Sequence, residues 1–291
     1  MESIATDIAR EARVRLVNGN SLDVLSQLKP ASVDLVLTSP PYNIGKDYER
    51  VLPMQDYLSQ QRAIIQQCVR ALKPGGNICW QVGFTKSAQE LVPLDVLLFP
   101  IFKEFDLQFA NRIIWTFGHG MHAKKRFSGR HETILWFRKP GQEPYWDLDS
   151  VRVPQKYPGK RHYKGPRKGE YSGNLLGKNP GAVWDLPNVK ANHSEKTAHQ
   201  CQLPVGLAQR VIRAMSPKNG LVLDPFAGVA TTMCAAVIEG RRSLGIEMSA
   251  QYHELGLQRV REALDGTLKY RDISEEKSEP TPNTSLTQRK S

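Results

Sequence analysis

Short apolar, β-branched runs alternate along this chain with segments of helical length. The pattern predicts strands at 15–20, 33–37, 77–82, 112–117, 132–137, 221–224 and 243–247. Between them it predicts helices at 21–28, 54–72, 91–102, 203–215, 231–239 and 252–264. Ser21 is the expected N-cap of the first helix. Strands that alternate with helices favour parallel pairing, so we predict a three-layer α/β fold around a mostly parallel sheet.

The turn Thr38-Ser39-Pro40-Pro41-Tyr42 follows the second predicted strand. Proline has no N–H to donate to a ladder and restricts the residue before it, so the two prolines end the strand in a rigid turn. Open α/β sheets bind their ligands at the carboxyl ends of strands. The turn offers a hydroxyl, carbonyls and a phenol ring, which suit a planar group bearing an NH2. A Pro-Pro turn with a packed tyrosine is the alternative interpretation.

A second strand end lies in the run 221–232. Its turn consists of Asp224, Pro225, Phe226, Ala227 and Gly228. Small residues let a ligand approach the backbone, and Glu247, at the end of the next strand, is placed to accept hydrogen bonds from a ribose diol. NAD is the rival ligand, but the G-x-G-x-x-G fingerprint fails because Ala230 and Met233 occupy its later glycine positions. Asp224 also suits a cationic amine or sulfonium better than a pyrophosphate.

The net charge of +11 and the pI near 9.5 indicate a polyanionic partner, most often nucleic acid or else an anionic membrane surface. The segment 140–192 lacks the apolar periodicity of helices and strands, and basic residues alternate there with tyrosine and tryptophan. The candidate DNA-binding residues in it are Arg152, Lys156, Lys160, Arg161, Lys164, Arg167 and Lys168. A solvated linker is the alternative, but disordered linkers tend to lack aromatic residues. We therefore predict a nucleic-acid-binding insertion.

Together these features resemble the DNA methyltransferases that modify exocyclic amines with S-adenosylmethionine. The catalytic match is Ser39-Pro40-Pro41-Tyr42, and the cofactor match is 224–228 with Glu247. The segments 130–137 and 195–204 are similar to the family's strand beside the catalytic pocket and to its segment at the methionine end of the cofactor. The catalytic motif comes first in the chain. The resemblance therefore implies a Rossmann-like methyltransferase sheet with circularly permuted motif order and a basic insertion.

The resemblance also implies a role for each site residue. Double-stranded DNA would be the substrate, with the target base flipped out of the duplex and the methyl group transferred directly. Tyr42 would stack on the base, while the Ser39 hydroxyl and the Pro40 carbonyl would accept hydrogen bonds from its NH2. Thr197 and Asn20 join the cofactor-binding residues, Asn20 by accepting from the adenine amino group. We expect no metal.

Three questions stay open at this stage. Ser39 favours the 4-amino group of cytosine, because serine there is commoner in the family's cytosine enzymes, and the 6-amino group of adenine is the alternative. A catalytically inactive DNA-binding protein of the same fold is the rival from another class, and RNA or a protein glutamine is the rival substrate. Ala230 stands where many relatives carry a second glycine, and its methyl group is either tolerated or weakens cofactor binding.

The chain divides into four predicted segments. These are 14–139 as the catalytic half of the methyltransferase domain, 140–192 as a target-recognition insertion, 193–265 as the cofactor-binding half and 274–291 as a disordered tail. No apolar run reaches the ~18 residues of a membrane span, and the start lacks the pattern of a secretion signal.

The cysteines Cys68, Cys79, Cys201 and Cys234 are scattered, which is typical of a reducing compartment. We therefore expect a cytoplasmic protein, and the resemblance implies a nucleoid-associated enzyme of a prokaryote that is either a monomer or a homodimer. A cognate restriction endonuclease acting on the same site is an optional partner.

Overall fold

The computed structural model describes residues 13–47, 49–87, 90–118, 120, 122–190 and 193–273. The strands are β1 (Val14–Asn18), β2 (Val33–Thr38), β3 (Leu72–Val82), β4 (Phe84–Ser87), β5 (Glu90–Pro93), β6 (Gln108–Thr116), β7 (His131–Arg138), β8 (Val183–Asp185), β9 (Leu221–Asp224) and β10 (Arg242–Glu247). The helices are α1 (Ser21–Ser26), α2 (Met54–Ala71), α3 (Leu94–Lys103), α4 (Val205–Met215), α5 (Thr231–Ile238) and α6 (Ala250–Leu264).

Within the described residues, eight strands form the central sheet in the order β1-β10-β9-β2-β3-β7-β6-β8. The pairs from β1 through β3 are parallel, β7 is antiparallel to both of its neighbours, and β8 is parallel to β6. The prediction of a mostly parallel sheet is confirmed. Since β1 pairs with β10, the first strand of the chain lies beside the strands of the second predicted site.

Helices cover both faces of the sheet. Successive strand residues point to opposite faces, as in β9, where Val222 packs with α4, α5 and α6 and Leu223 packs with α1, α2 and α3. Each face buries its own apolar cluster, one containing the fully buried Ile212 and the other the fully buried Phe102. The three-layer α/β architecture follows from this double burial.

Most predicted elements are confirmed to within a few residues, but three details are wrong. The helix predicted at 91–102 begins only at Leu94, because Val92 precedes Pro93 and the helical region is disfavoured before proline. Strand β3 begins at Leu72 directly after α2. The N-cap of α1 is Asn20, whose side chain accepts from the Leu22 N–H, while the Ser21 hydroxyl donates to the Pro225 carbonyl at 2.5 Å.

The segment 140–192 is mostly irregular where the structure describes it, although it contains a 3-10 turn at Asp149–Val151 and contributes β8 to the sheet edge. Its role as a target-recognition insertion stays a prediction. The tail predicted at 274–291 lies outside the described residues. Among the residues described, no helix combines the length and the apolar character needed to cross a bilayer.

Candidate active site

The two predicted strand ends are neighbours in the fold. Strands β2 and β9 pair in parallel, so their carboxyl ends lie at the same edge of the sheet. There the Thr38 hydroxyl donates a hydrogen bond of 2.6 Å to the carboxylate of Asp224, 186 positions later in the chain. Both side chains are buried. This contact fixes the proline turn against the turn that begins at Asp224.

One cavity of about 400 Å³ opens at this edge and contacts both turns. Its volume lies within the range of about 300–1,000 Å³ that is typical of small-molecule sites. The predicted residues that line it are Asn20, Ser39, Pro40, Pro41, Tyr42, Asp224, Pro225, Phe226, Ala227, Gly228 and Glu247. The structure therefore brings together the predicted catalytic residues and all but one of the predicted cofactor-binding residues.

Among the residues described, one of the two proline carbonyls in the turn accepts a hydrogen bond from within the protein and the other stays available. The Tyr57 hydroxyl donates to the Pro41 carbonyl at 2.9 Å. Within the part of the chain that the structure describes, no hydrogen bond is recorded to the Pro40 carbonyl. Both Ser39 and Pro40 line the cavity, and the presentation of the Ser39 hydroxyl and the Pro40 carbonyl to a ligand stays a prediction.

Tyr42 is held at its hydroxyl end by a second strand. Its hydroxyl lies 3.3 Å from an oxygen of Glu132, on β7, and 3.3 Å from the Ser39 hydroxyl. Gln81 donates to the same Glu132 oxygen. When Glu132 is ionised, the Tyr42 hydroxyl donates a hydrogen bond to it, and the Ser39 hydroxyl donates a hydrogen bond to the Tyr42 oxygen. Both lone pairs of Ser39 Oγ then stay available as acceptors.

Burial dominates the electrostatics of this group. It raises the pKa of Glu132 to about 7, against the lowering effect of the hydrogen bonds from Gln81 and Tyr42. Burial, and then the nearby Glu132 charge, raise the pKa of Tyr42. Glu132 belongs to the predicted run 130–137, but no sequence pattern there indicates its contact with Tyr42.

The raised pKa of Glu132 predicts a specific pH dependence of stability. Between about pH 4.5 and pH 7 the unfolded chain ionises this carboxyl and the folded chain does not, so the Glu132 contribution to folding weakens as pH rises through this window. We expect Glu132→Gln to gain roughly 1–3 kcal/mol in unfolding free energy relative to wild type between pH 4.5 and pH 8. Urea unfolding of both proteins at the two pH values measures this. A difference that does not change with pH would contradict the assignment.

The backbone after the turn is fixed by two polar side chains that sequence reasoning missed. The Glu49 carboxylate accepts from the N–H groups of Asn43 and Ile44, each at 2.8 Å. The Asn43 amide accepts from the Leu52 N–H and donates to the Leu52 carbonyl. Asn43 has a φ of 59°, a left-handed conformation in which asparagine is enriched. An asparagine directly after Tyr42 was the available sequence signal.

The far end of the cavity is shaped around Glu247. One of its carboxylate oxygens accepts from the Gly228 N–H and the other from the Ser249 N–H, each at 2.8 Å. Burial raises its pKa, partly offset by these backbone hydrogen bonds. Each carboxylate oxygen has about two acceptor positions, so one on each remains for the hydroxyls of a ribose. These remaining acceptor positions of the Glu247 carboxylate fit a nucleoside cofactor.

Asp224 is hydrogen-bonded within the protein to a greater extent than the sequence indicated. One of its oxygens accepts from both the Thr38 hydroxyl and the Phe226 N–H. Burial raises its pKa to about 6, while hydrogen bonds from Thr38, Thr232 and Phe226 lower it. The carboxylate lines the cavity but also fixes the shape of the turn. Its contact with a cationic group of a ligand stays a prediction.

Two predicted cofactor residues have other partners in the structure. The Asn20 oxygen caps α1, although the residue lines the cavity. Thr197 is absent from the residues described as lining the cavity, and its N–H and hydroxyl both donate to Gln202 Oε1. His199 does line the cavity, and burial, reinforced by the charges of Lys196 and Arg259, lowers its pKa to about 4. It is therefore neutral at pH 7.

The methyl group of Ala230 points away from the cavity. Ala230 is fully buried, has a φ of 59° and is not among the cavity-lining residues. A Cβ added to Gly256 of α6 would lie 3.1 Å from the Ala230 Cβ and 2.8 Å from Leu16 Cδ2. The missing side chain at Gly256 makes room for the Ala230 methyl group.

This packing predicts that Ala230 is tolerated. We expect Ala230→Gly to change the Kd for S-adenosylmethionine by less than about twofold, because the methyl group faces α6. Gly256→Ala should cost about 1–3 kcal/mol of stability through overpacking. Adding Ala230→Gly to that variant should recover part of the loss, as measured by calorimetry and denaturant unfolding. A tenfold gain in cofactor affinity on Ala230→Gly would contradict this account.

The basic residues of the insertion lie outside the cavity lining of the described chain. All of them except Arg152 are exposed. Arg152 donates to Asp149 and to the Gly177 carbonyl, and only 14% of its side chain is exposed. These bonds join the two sides of the loop next to the bridge between Val153 and Lys178. DNA contacts from this loop stay a prediction.

Comparison with known proteins now adds to this geometry. The family model described as DNA methylase (N6_N4_Mtase) matches residues 33–258. The chain belongs to this family. It is 46% identical over 245 residues to the Type II methyltransferase M.BglII of Bacillus subtilis, covering 84% of this chain and 68% of that protein. It is also 31% identical to the DNA adenine methyltransferase YhdJ of Escherichia coli, covering 88% of this chain and 85% of that protein.

A solved structure supports the cofactor. A putative DNA modification methylase of Thermus thermophilus, complexed with S-adenosyl-L-methionine, superposes with a TM-score of 0.62 at 27% identity, covering 87% of this chain and 97% of that one. The predicted resemblance is confirmed: this chain belongs to the family of S-adenosylmethionine-dependent DNA methyltransferases that modify exocyclic amines, and its fold is Rossmann-like.

Proposed function

We propose that this methyltransferase methylates the 4-amino group of a cytosine that is flipped out of duplex DNA. The observation that carries the proposal is the shared cavity, which Ser39 and Pro40 line together with Gly228 and Glu247. A base amine and a nucleoside cofactor bound there would meet at the Thr38–Asp224 contact. Ser39 is the reason for favouring cytosine, and adenine is the alternative target.

The chain's own residues would act by holding and orienting the amine. Bound S-adenosylmethionine supplies a methyl group already activated by its sulfonium. Ser39 Oγ and the Pro40 carbonyl accept the two N–H bonds, which aims the nitrogen lone pair at the methyl group. The same acceptors stabilise the positive charge that develops on the nitrogen during transfer. Tyr42 stacks on the base, and the hydrogen bond to Glu132 limits movement of its ring.

An inactive DNA-binding protein has less support. Pure binding does not require Ser39 and Pro40 to line one cavity with Gly228 and Glu247, as they do here, so this arrangement supports an enzyme. The similarity to the Type II methyltransferase M.BglII supports a restriction endonuclease as the partner enzyme. The insertion at 140–192 is then the main DNA-contacting segment of the proposal, with Lys156, Lys160 and Lys168 among its exposed basic residues.

The test is methyl transfer from labelled S-adenosylmethionine to unmethylated genomic DNA. We expect label in the DNA, and sequencing that detects methylated positions should identify one recognition site. Ser39→Ala is the matched variant, because it removes one acceptor and leaves the Pro40 carbonyl; we expect it to be slower by about a hundredfold. DNA binding without any transfer by the wild-type protein would overturn the proposal.

A further inference from the structure

The loop that joins β6 to β7 lies at the catalytic edge of the sheet. Strand β6 is antiparallel to β7, which is antiparallel to β3, so the carboxyl end of β6 lies at the same edge as the carboxyl ends of β2 and β3. The loop re-enters the sheet at His131, and the next residue is the Glu132 that contacts Tyr42. A residue five positions before Glu132 is therefore within about 18 Å of it.

That residue is Phe127, whose side chain is 100% exposed. A fully exposed phenylalanine buries no apolar surface in the protein itself, so folding gains nothing from it. The loop has a defined base, because the Phe117 N–H donates to the Arg130 carbonyl and the Arg130 side chain donates to the Gly118 carbonyl. The Ala123 N–H donates to Ser128 Oγ, which closes the turn around Phe127.

The charged residues that flank Phe127 in the sequence are of one sign. Lys124, Lys125 and Arg126 precede it directly and are exposed, and no acidic residue occurs between Asp106 and Glu132. An apolar tip in a basic loop matches the wedges that proteins insert between base steps while cations hold the phosphates. A protein partner would need a complementary acidic surface with an apolar pocket, whereas duplex DNA offers both features everywhere along its length.

We propose that Phe127 enters the base stack beside the target nucleotide and fills space that the flipped base leaves, while Lys124, Lys125 and Arg126 bind the adjacent phosphates. The inference rests on the proposed function, since it assumes base flipping at the cavity. It adds a second DNA-binding element to the predicted insertion at 140–192. This element lies at the sheet edge that carries the catalytic turn.

The decisive experiment compares two duplexes that contain the recognition site found by sequencing. One is fully paired, and the other has an abasic position opposite the target base, which lowers the cost of flipping. On the paired duplex we expect Phe127→Ala to lower kcat/KM by about tenfold, the effect of losing one stacked aromatic side chain. On the abasic duplex the loss should shrink to less than about threefold. Phe127→Trp should stay close to wild type on both.

Control variants separate the effect of the Phe127 wedge from nonspecific effects of losing an exposed apolar side chain and from effects of phosphate contacts. Val96→Ala removes another exposed apolar side chain, on α3, and should behave as wild type on both duplexes. Lys124→Ala and Arg126→Ala should each reduce the slope of log K against log salt by about 0.9, whereas Phe127→Ala should leave it unchanged.

The outcomes distinguish the two proposals. An active wild-type enzyme with an unaffected Phe127→Ala variant, or with equal losses on both duplexes, would overturn the wedge alone. A wild-type protein that methylates no DNA would overturn the proposed function and the wedge with it.

Discussion

Glu247→Ala should raise the Kd for S-adenosylmethionine by about a hundredfold. The substitution removes the carboxylate that would accept two ribose hydroxyls, and hydrogen bonds to charged groups contribute about 1.5–3 kcal/mol each. It also frees the N–H groups of Gly228 and Ser249, which loosens the turn that shapes the cavity. Isothermal titration with S-adenosylmethionine measures the affinity directly.

The matched control for that variant is Glu254→Ala. Glu254 lies on α6 near the same end of the sheet, is exposed, and does not line the cavity. The Glu254→Ala substitution removes one negative charge from the protein without changing the site. The Kd of this variant for S-adenosylmethionine should therefore equal that of wild type. DNA affinity should be unchanged in both variants. Equal loss of cofactor affinity in both, or no loss in Glu247→Ala, would place the ribose elsewhere.

Tyr42→Ala should lower turnover by about a hundredfold while leaving the Kd for S-adenosylmethionine within about threefold of wild type. Loss of the ring removes a stacking contact of about 1–3 kcal/mol and lets the base sample unproductive positions. Single-turnover methyl transfer at saturating cofactor measures the chemical step. Tyr42 is only 9% exposed, so unfolding curves are needed to confirm that the variant is folded.

Tyr42→Phe separates the ring from the hydroxyl. The variant keeps the stacking surface and loses the contacts to Glu132 and Ser39, so we expect turnover within about tenfold of wild type. Unchanged turnover in Tyr42→Ala would make the side chain a packing residue. An equally large loss in Tyr42→Phe would instead assign the effect to the hydroxyl network.

Local sequence was sufficient to predict both strand ends. Pro40 and Pro41 cannot continue a ladder, and Gly228 adopts a φ of 52° in the turn that its small neighbours permit. These properties act within a few residues, so a single sequence shows them. The alternation of elements then placed both turns at the same edge of a parallel sheet.

Contacts between distant residues could not be predicted in the same way. Glu132 reaches Tyr42, 90 positions away, only because β7 inserts antiparallel between β3 and β6 in one register. The exchange of capping roles between Asn20 and Ser21 likewise depends on the Pro225 carbonyl, which the fold brings to Ser21. Basic residues were equally hard to rank: Arg152 looks like its neighbours in sequence but is bound within its own loop.

Mass spectrometry of nucleosides tests the central claim most directly. DNA that lacks prior methylation is incubated with the enzyme and deuteromethyl S-adenosylmethionine, then digested to nucleosides. We expect labelled N4-methylcytosine, with the label strongly reduced in Ser39→Ala and Tyr42→Ala. Labelled N6-methyladenine would replace cytosine by adenine as the amine held by Ser39 and Pro40. Label on a ring carbon, or no label in DNA, would contradict the amine-binding turn itself.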